Sequence, residues 1–557
     1  MTSRVKWNNF GLGQAVYEFM QYEEVCSVRR HIDMGNYLNI GNAGFAAAVK
    51  GVYIDKTELI AFVNSTCGTK DKLTCVSRPR RFGKSYAAQM LCAYYDKSCD
   101  SRGLFADLRI AADPSFEMHL NRYDVIYLDI TLFIAGTSDI KNVVSDLQSK
   151  VIEEIREAYP EVKEANTLFE TLSNVADAAG SKFVIIIDEW DALFREAKQD
   201  TELQQEYIRL LRSLFKSSLT DKMIEAAYMT GILPIKKYGT QSAMTDFKEY
   251  TMIAPKKLAE YVGFTESEVM DLCMKYDMDF NEAKKWYDGY SFRRIKSIYN
   301  PNSVIEAMKN EEFGSYWTRT ETYESLQIYI DLNLGGLKEA IVQMLGGASV
   351  PVDVGTFQND MTNIKNKDDV LTLLVHLGYL AYNAANKSVF IPNEEVRQEF
   401  VRAAATGKHR EVAKLIQNSD HLLEQTLNME EEAVAEAIEA AHSAGTAPLY
   451  YNNEQALRSV IKFAYISCLD EFVKIEELPS GKGYADIVFL PRRTSSLPAL
   501  VIELKWNKTE NSAIQQIKNN NYPQVLKSFG GDILLVGIHY DEKNKKHTCR
   551  IEKITGS

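Results

Sequence analysis

Residues 77–85 read Ser-Arg-Pro-Arg-Arg-Phe-Gly-Lys-Ser, and this stretch indicates the fold of the first half of the chain. It follows an apolar run at 73–76 and precedes a helical pattern at 86–95. A strand, a tight turn with Gly-Lys-Ser and a helix suit a triphosphate, because backbone N–H groups and the helix dipole face the anion. We therefore expect Lys84 to reach the outer phosphates of a nucleotide and the Ser85 hydroxyl to hold Mg²⁺.

The match to the usual phosphate-loop pattern, G-x-x-x-x-G-K-[ST], is incomplete, because Arg78 stands where the first glycine is expected. A Gly-Lys-Ser tripeptide recurs by chance, so a basic loop before a helix is the alternative interpretation. We expect at least one of Arg78, Arg80 and Arg81 to contact phosphate, in this subunit or a neighbouring one, and we retain Arg81 as a candidate nucleotide-binding residue. A surface basic cluster is the alternative for these arginines.

A second nucleotide-site pattern begins at residue 183. The apolar run Phe-Val-Ile-Ile-Ile at 183–187 leads into Asp-Glu-Trp-Asp at 188–191. We expect Asp188 to hold Mg²⁺ through water and Glu189 to polarise the attacking water. An ordinary strand followed by an acidic helix cap is the alternative. Thr230 ends a further apolar run and is a candidate sensor of the γ-phosphate, although a terminal threonine can be purely structural.

Alternation of strand-like and helical stretches predicts the fold class of this half. The strand candidates are 73–77, 124–131, 183–188 and 226–231, and helical stretches separate them. Such alternation is typical of an α/β domain with a parallel sheet and helices on both faces, here a P-loop NTPase sheet. Residues 255–345 are rich in helical patterns, and residues 365–400 predict a helix, a glycine turn and a hairpin, as in a winged-helix-like subdomain.

The charge of the chain is unevenly distributed. The 557 residues carry a net charge of −12, so the whole molecule is not an electrostatic nucleic-acid binder. From residue 481 onward, 12 Lys and Arg face 7 Asp and Glu, a net of +5, which leaves −17 on the rest. This asymmetry favours a polyanion partner near the C-terminus. Eight cysteines without a C-x-x-C pair, no signal peptide and no membrane span predict a reduced, cytoplasmic protein.

The positive region carries its own pattern of chemically active residues. Strand-like stretches at 483–490 and 499–506 contain Asp486, Glu503 and Lys505. Alternation along a strand places Glu503 and Lys505 on one face, and Asp486 can join them if the two strands pair. Two carboxylates suit Mg²⁺ or Mn²⁺, and Lys505 would orient or help deprotonate a metal-bound water. The alternative is an ordinary Glu-x-Lys pair on a solvent-facing strand.

The order of these motifs resembles that of bacterial AAA-ATPase-like proteins that end in a PD-(D/E)XK nuclease-superfamily domain. The resemblance covers residues 35 to 545 or so and includes Tyr-Ile-Asp-Lys-Thr at 53–57 and Trp-Tyr-Asp-Gly-Tyr-Ser-Phe at 286–292. It implies a C-terminal α/β restriction-endonuclease-like domain. In that family the first glycine of the phosphate loop is typically replaced, so Arg78 does not predict an inactive site.

The resemblance also implies roles for individual residues. Gly83, Lys84 and Ser85 would contact ATP, while Asp188 and Glu189 would serve the metal and the water. Asp486 and Glu503 would be nuclease metal ligands, with Lys505 catalytic. The expected domains are an N-terminal extension (1–45), an ATPase domain (46–254), a helical lid-like subdomain (255–345), a winged-helix-like subdomain (346–400), a helical linker (401–447) and a nuclease-like domain (448–557).

Three functions are compatible with these patterns. The first is an ATP-regulated, metal-dependent nuclease that acts on nucleic acid, with DNA as the expected substrate. The second is a nucleotide-switched ATPase whose C-terminal domain binds nucleic acid without cutting it. The third is an interaction protein with relict sites. A homo-oligomer is compatible with all three, and none requires a membrane.

Overall fold

The residues that the computed structural model describes fall into two compact units. The first contains the residues up to Arg78 together with Gly83–Tyr250, and the second contains Pro79–Phe82 together with the residues from Thr251 onward. The described residues are 35–235, 244, 246–292, 295–317, 326, 329, 334–345, 347–358, 364–406, 410–443, 461, 464–465, 472–480, 483–491, 497–507, 510–519 and 531–555.

A sheet of parallel strands forms the centre of the first unit. Its strands are β1 (Leu73–Ser77), β2 (Asp124–Asp129), β3 (Phe183–Asp188), β4 (Ile224–Gly231) and β5 (Lys248–Tyr250). They lie in the order β2-β3-β4-β1-β5, and all neighbours are parallel. Every residue of β3 is buried, as expected for an apolar strand covered on both faces. The predicted parallel sheet is therefore confirmed.

Helices flank this sheet, and several of them bury an apolar face against it. In the helix at Val143–Ala158, for example, Leu147, Val151 and Ile155 recur every four residues and join the core. The helices are α1 (Ala43–Val49), α2 (Glu58–Asn64), α3 (Lys84–Tyr95), α4 (Arg102–Phe105), α5 (Phe116–His119), α6 (Ile130–Gly136), α7 (Val143–Ala158), α8 (Leu168–Ala179), α9 (Ala192–Glu196), α10 (Thr201–Phe215) and α11 (Thr220–Met223), with 3₁₀ turns at Arg109–Ala112 and Ile140–Asn142.

Three details of the sheet differ from the sequence-based prediction. Strand β4 begins at Ile224, two residues before the expected start at 226. Strand β2 was expected to continue to residue 131, but it ends at Asp129. The Asp129 carboxylate accepts hydrogen bonds from the backbone N–H groups of Thr131 and Leu132, and so it caps α6 and stops the strand. Strand β5 was not predicted, because its three residues, Lys-Glu-Tyr, carry no apolar run.

The middle of the chain, in the second unit, combines helices with short strands. The helices are α12 (Glu266–Tyr276), α13 (Phe280–Tyr287), α14 (Pro301–Asn310), α15 (Leu337–Leu345), α16 (Lys367–Leu377) and α17 (Glu394–Thr406), with a 3₁₀ turn at Lys256–Leu258. The strands are β6 (Phe264–Thr265), β7 (Ile298–Tyr299), β8 (Val350–Pro351), β9 (Ala381–Asn383) and β10 (Ser388–Phe390). Helix α16 ends at Gly378, which has φ +89°, and β9 and β10 pair antiparallel after it, as predicted.

Gly289, in the aromatic motif at 286–292, lies at a tight packing point of this unit. Its φ is +118°, and a Cβ atom there would lie 2.0 Å from the carbonyl oxygen of Pro392. The Asn393 amide donates to the carbonyl of Asp288, and the Tyr290 hydroxyl donates to the carbonyl of Gly378. The motif therefore has a packing role.

Replacing Gly289 by alanine is expected to lower the free energy of unfolding by about 2–4 kcal/mol, because the new methyl group meets backbone and the φ angle is strained. Thermal and urea unfolding measure this loss. Gly314→Ala is the matched control, since a Cβ at Gly314 meets nothing within 4 Å. Equal stability of the two variants would contradict the packing role.

Helix α17 buries two carboxylates in the same unit. Glu395 accepts a hydrogen bond of 2.7 Å from the backbone N–H of Tyr316, and Glu399 accepts one of 3.1 Å from the Ser315 hydroxyl. Burial raises the pKa of Glu395 to about 7, and the nearby Glu399 adds to the rise, while hydrogen bonds from Tyr316, Ser303 and Trp317 oppose it. Glu395 is therefore protonated in the folded protein at a pH where an unfolded glutamate is ionised.

This raised pKa predicts a loss of stability as the pH rises from about 4.5 to about 7. Between about pH 4.5 and 7 the folded protein binds the proton more tightly than the unfolded chain, so stability falls as the pH rises through this window, by up to about 3 kcal/mol. Glu395→Gln is expected to unfold at a higher temperature than wild type at pH 8 and at a similar temperature at pH 5. Glu312→Gln, at an exposed position nearby, is the control. If the unfolding temperatures of wild type and Glu395→Gln differ by the same amount at pH 5 and at pH 8, the prediction is wrong.

A mixed sheet forms the centre of the C-terminal part of the second unit. Its strands are β11 (Phe472–Ser480), β12 (Gly483–Pro491), β13 (Ala499–Trp506), β14 (Ile533–Asp541) and β15 (Lys546–Ile554), in that order. Strands β13 and β14 are parallel, and the other neighbours are antiparallel. The helices are α18 (Arg410–Leu427), α19 (Glu431–Ser443) and α20 (Glu510–Asn519). This α/β arrangement fits the predicted fold of the C-terminal domain.

The two faces of this sheet pack against different helices. Leu500, Ile502 and Leu504 share a core with Leu422 of α18 and Val434 of α19. The intervening residues of β13 point to the other face, where Val501 packs with Ile514 and Ile517 of α20. Residues 401–447, predicted as a linker, thus contribute side chains to the core of the C-terminal sheet.

Candidate functional sites

The phosphate-loop candidate connects β1 to α3, as the sequence predicts. Strand β1 ends at Ser77, and α3 begins at Lys84 directly after Gly83. Gly83 has φ +90°, and a Cβ there would meet nothing within 4 Å, so the backbone conformation rather than lack of space requires glycine. The first N–H groups of α3 have no acceptor within the helix and can bind an anion. Lys84 is only 4% exposed, whereas Ser85 is exposed.

Asp188, at the end of β3, lies beside Ser85 of the loop helix. Its carboxylate accepts hydrogen bonds from the hydroxyls of Ser85 and Thr230 and one of 3.1 Å from the backbone N–H of Glu189. Burial raises the pKa of Asp188, and the two hydroxyl hydrogen bonds oppose this rise. A hydroxyl and a carboxylate at hydrogen-bonding distance are the oxygen ligands that Mg²⁺ prefers, so these residues fit the expected ion.

Glu189 contacts two cations through its two carboxylate oxygens. Oε1 lies 3.2 Å from Nζ of Lys84, and Oε2 lies 2.5 Å from Nη2 of Arg195. The backbone of Glu189 has φ +51°, in the left-handed region that is uncommon for a residue other than glycine. The fold therefore brings together Lys84, Ser85, Asp188, Glu189 and Thr230 at the carboxyl ends of neighbouring parallel strands.

Arg78, in place of the first glycine, lies in the interior of the first unit. It is fully buried, and its Nη1 donates to the carbonyl oxygens of Ser77 (3.0 Å) and Tyr250 (3.2 Å). Burial lowers its pKa to about 10. These bonds link the ends of β1 and β5, so the guanidinium has a structural role that glycine could not fill. Its burial in the interior argues against a phosphate contact by Arg78.

Arg81 lies at the tip of the loop, which belongs to the second unit. Its Nη1 donates to the carbonyl oxygen of Tyr316 at 3.1 Å, and its φ is +66°. A nucleotide contact by Arg81 or Arg80 stays a prediction.

Glu503 and Lys505 occupy the face of β13 that α20 covers. They are 1% and 5% exposed, and Nζ of Lys505 donates to Oε1 of Glu503 at 3.0 Å. The side-chain amide of Gln516, on α20, donates to the same oxygen. Because Glu503 and Lys505 are buried and in contact, they do not form the solvent-facing Glu-x-Lys pair of the alternative interpretation.

Asp486 belongs to β12, the strand beside β13. The two strands are antiparallel, with Ile487 opposite Ile502, so the next positions along this register are Asp486 and Glu503. The pairing that the sequence required for a shared site is therefore present in the backbone. The side chain of Asp486 lies outside the described part of the structure, and its role as a metal ligand stays a prediction.

Three residues near these sites were not singled out from the sequence as functional. Asp191 accepts hydrogen bonds from the backbone N–H groups of Ile232 and Leu233, and Arg195 contacts both Asp191 and Glu189. Arg195 follows Asp191 by four residues, a helical spacing that signals their proximity. Gln516 precedes the buried Ile517 on α20, but periodicity alone does not reveal its contact with Glu503.

Three further observations concern clusters of metal-binding residue types, the cysteines and the length of the helices. Within the described ranges, no group of three or more His, Cys, Asp and Glu side chains could hold a metal ion. The cysteines that the structure describes, Cys67, Cys75, Cys92, Cys99, Cys273 and Cys549, are free. Each described helix is too short or too polar to cross a membrane.

Two family models match the chain in separate regions. Residues 40–240 match the family described as a predicted AAA-ATPase, and residues 452–549 match the PD-(D/E)XK nuclease superfamily. These ranges contain the phosphate loop and the Glu503–Lys505 pair, respectively. The source organism is not indicated by either match, so the bacterial part of the resemblance stays a prediction. None of the curated proteins matches the chain.

Solved structures resemble the chain only distantly. Cdc6p from Pyrobaculum aerophilum is 10% identical, with 65% of this chain and 93% of that chain covered and a TM-score of 0.24. The Aeropyrum pernix ORC1 protein in complex with DNA is 11% identical, with 70% and 97% covered and a TM-score of 0.24. AMPPCP-bound DnaA from Aquifex aeolicus is 12% identical, with 68% and 93% covered and a TM-score of 0.23. Scores this low imply no shared function.

The two family matches are consistent with the structure. The first region contains the parallel sheet and the phosphate loop, and the second contains the buried Glu503–Lys505 pair. This chain combines an AAA-ATPase-like domain at residues 40–240 with a PD-(D/E)XK nuclease-superfamily domain at residues 452–549.

Proposed function

We propose that this protein binds and hydrolyses ATP with Mg²⁺ and that its C-terminal domain hydrolyses DNA phosphodiester bonds with Mg²⁺ or Mn²⁺. The observation that supports this most strongly is shared by the two domains. Each holds a carboxylate in contact with a lysine: Glu189, just beyond the end of β3, contacts Lys84, and Glu503, within β13, contacts Lys505. The net charge of +5 from residue 481 onward supports a nucleic-acid partner, and the free cysteines support a cytoplasmic location.

In the ATPase domain, Lys84 and the N-terminal amides of α3 bind the phosphates, and Ser85 and Asp188 hold Mg²⁺. The ion supplies neutralisation of the phosphate charge when it is bound. Glu189 accepts a proton from the attacking water, which requires a carboxylate oxygen near the γ-phosphate. Thr230 donates to Asp188 in this structure, and we propose that it contacts the γ-phosphate or its water when nucleotide is bound.

In the nuclease domain, Asp486 and Glu503 would hold the metal, and a bound ion would supply Lewis-acid activation of water and neutralisation of charge at the scissile phosphate. Lys505 orients this water or stabilises the charge that develops on the phosphate. Gln516 fixes the orientation of Glu503 through the oxygen that Lys505 also contacts.

Cleavage of plasmid and linear DNA by the full chain tests the proposal. The assay contains Mg²⁺ or Mn²⁺, with and without ATP, and phosphate release is measured in parallel. Metal-dependent cleavage that changes with ATP supports two coupled activities. Phosphate release without cleavage under any condition contradicts the nuclease part.

One contact favours the second candidate function, a nucleotide-switched ATPase whose C-terminal domain binds without cutting. The tip of the phosphate loop groups with the second unit, and Arg81 donates there to the carbonyl of Tyr316, next to the buried Glu395. A nucleotide that contacts Arg81 would compete with this hydrogen bond to Tyr316. Light scattering with and without a non-hydrolysable ATP analogue tests it, and an unchanged oligomeric state together with DNA cleavage would exclude it.

A further inference from the structure

The two oxygens of the Glu189 carboxylate face different partners. Oε1 faces Lys84 of the phosphate loop, at 3.2 Å, whereas Oε2 faces Arg195 on α9, at 2.5 Å. Lys84 is the residue that bound phosphates attract, so a nucleotide competes with Glu189 for it. When Lys84 moves to the phosphates, it leaves Oε1 of Glu189, so Oε1 is the oxygen on the phosphate side.

Arg195 is held in place independently of the nucleotide. It is 9% exposed, and its Nε lies 3.3 Å from Oδ2 of Asp191, which is itself buried. Asp191 accepts hydrogen bonds from the N–H groups of Ile232 (3.1 Å) and Leu233 (2.9 Å), just after β4. A contact chain therefore runs from the end of β4 through Asp191 to Arg195.

Gly231, the last residue of β4, packs tightly against Asp191 and Trp190. A Cβ on Gly231 would lie 2.6 Å from Oδ1 of Asp191 and 2.6 Å from Cδ1 of Trp190. The neighbouring Thr230 donates to Asp188, so the same strand end positions both the metal carboxylate and the support of Arg195.

We infer that Arg195 is a positioning residue for ATP hydrolysis, which holds Oε2 of Glu189 so that Oε1 is directed to the attacking water once Lys84 has moved to the phosphates. This inference rests on the proposed ATPase function. A base that is oriented by a third, fixed group is a recurrent arrangement in enzymes. The backbone of Glu189 is left-handed, with φ +51°, a conformation that persists in proteins where the surrounding contacts determine it.

The main test compares Arg195→Met with wild type in ATP binding and hydrolysis. A fluorescent ATP analogue measures Kd, and phosphate release measures kcat and KM. We expect kcat to fall about 10- to 100-fold, as for residues that orient a reacting group, while Kd changes less than about threefold. Arg195→Lys keeps a cation and is expected to restore part of kcat. Arg102→Met, which breaks an exposed pair with Glu117, is the matched control and keeps full activity.

A double variant separates positioning from a merely structural role. If Arg195 acts through Glu189, Arg195→Met has no further effect on the residual turnover of Glu189→Gln, because the carboxylate that it orients is absent. A loss of kcat that multiplies with that of Glu189→Gln overturns the inference, as does an unchanged or raised kcat in Arg195→Met.

Folding is controlled separately, because Arg195→Met leaves Asp191 buried without its cation. The pair Asp191→Asn with Arg195→Met removes both charges, and thermal unfolding followed by circular dichroism checks the fold. A folded double variant with wild-type kcat overturns the inference. If the wild-type protein binds ATP without hydrolysing it, the proposed ATPase function is wrong. This outcome is distinct from failure of the inference about Arg195, which requires a wild type that hydrolyses ATP.

Discussion

Replacing Lys505 by alanine is expected to reduce DNA cleavage by at least about 100-fold, because one charged group that acts on the reacting water or phosphate contributes on this scale. Lys505 is 5% exposed and contacts Glu503 directly, so its ammonium group lies in the site rather than in solvent. The measurement is the rate of plasmid nicking and linearisation with Mg²⁺ or Mn²⁺.

The matched control is Lys553→Ala, which removes the same charge from a surface pair with Asp532 in the same domain. It is expected to cut DNA at a rate close to wild type. Because Lys505→Ala leaves Glu503 buried without its cation, Lys505→Met with Glu503→Gln serves as a second, uncharged variant. Cleavage by both Lys505 variants at the wild-type rate would assign the activity to another site.

The second large effect is expected for Glu189→Gln, which should lower ATP hydrolysis by about 100- to 10,000-fold and leave ATP binding largely intact. Glutamine keeps the size of the side chain but cannot accept a proton from water. Lys84→Ala is expected instead to weaken binding itself, because the proposed mechanism assigns Lys84 to the phosphates. Phosphate release and binding of a fluorescent ATP analogue separate these outcomes.

Glu202→Gln, at an exposed position on α10, is the control for the charge change and keeps both properties. A Glu189→Gln variant that hydrolyses ATP normally would remove Glu189 from the mechanism. If the two domains are coupled, Glu189→Gln also holds the protein in its ATP-bound state, and DNA cleavage then differs from that of wild type in the presence of ATP.

Strands were predictable from the sequence where apolar runs are continuous and bounded by polar residues. Strands β1 and β3 begin and end where the pattern predicts, because their Val, Ile and Leu side chains are buried on both faces of a parallel sheet. Strands β5 and β15 were not predicted. Strand β5 is short and polar, and its pairing with β1 depends on a segment that is distant in the chain. Strand β15 is an edge strand with alternating burial, and it pairs with β14 through a hairpin.

The sequence by itself determined the types of residue at each site and their places at strand ends and helix starts. Local periodicity is enough for this, because Lys84, Asp188, Glu503 and Lys505 adjoin long apolar or glycine-marked segments. Only the tertiary structure decided which partners these residues contact. Arg78 turns into the interior, Arg195 contacts Glu189 and Gln516 contacts Glu503, because such contacts depend on how separate elements pack and on desolvation, which a one-dimensional pattern does not record.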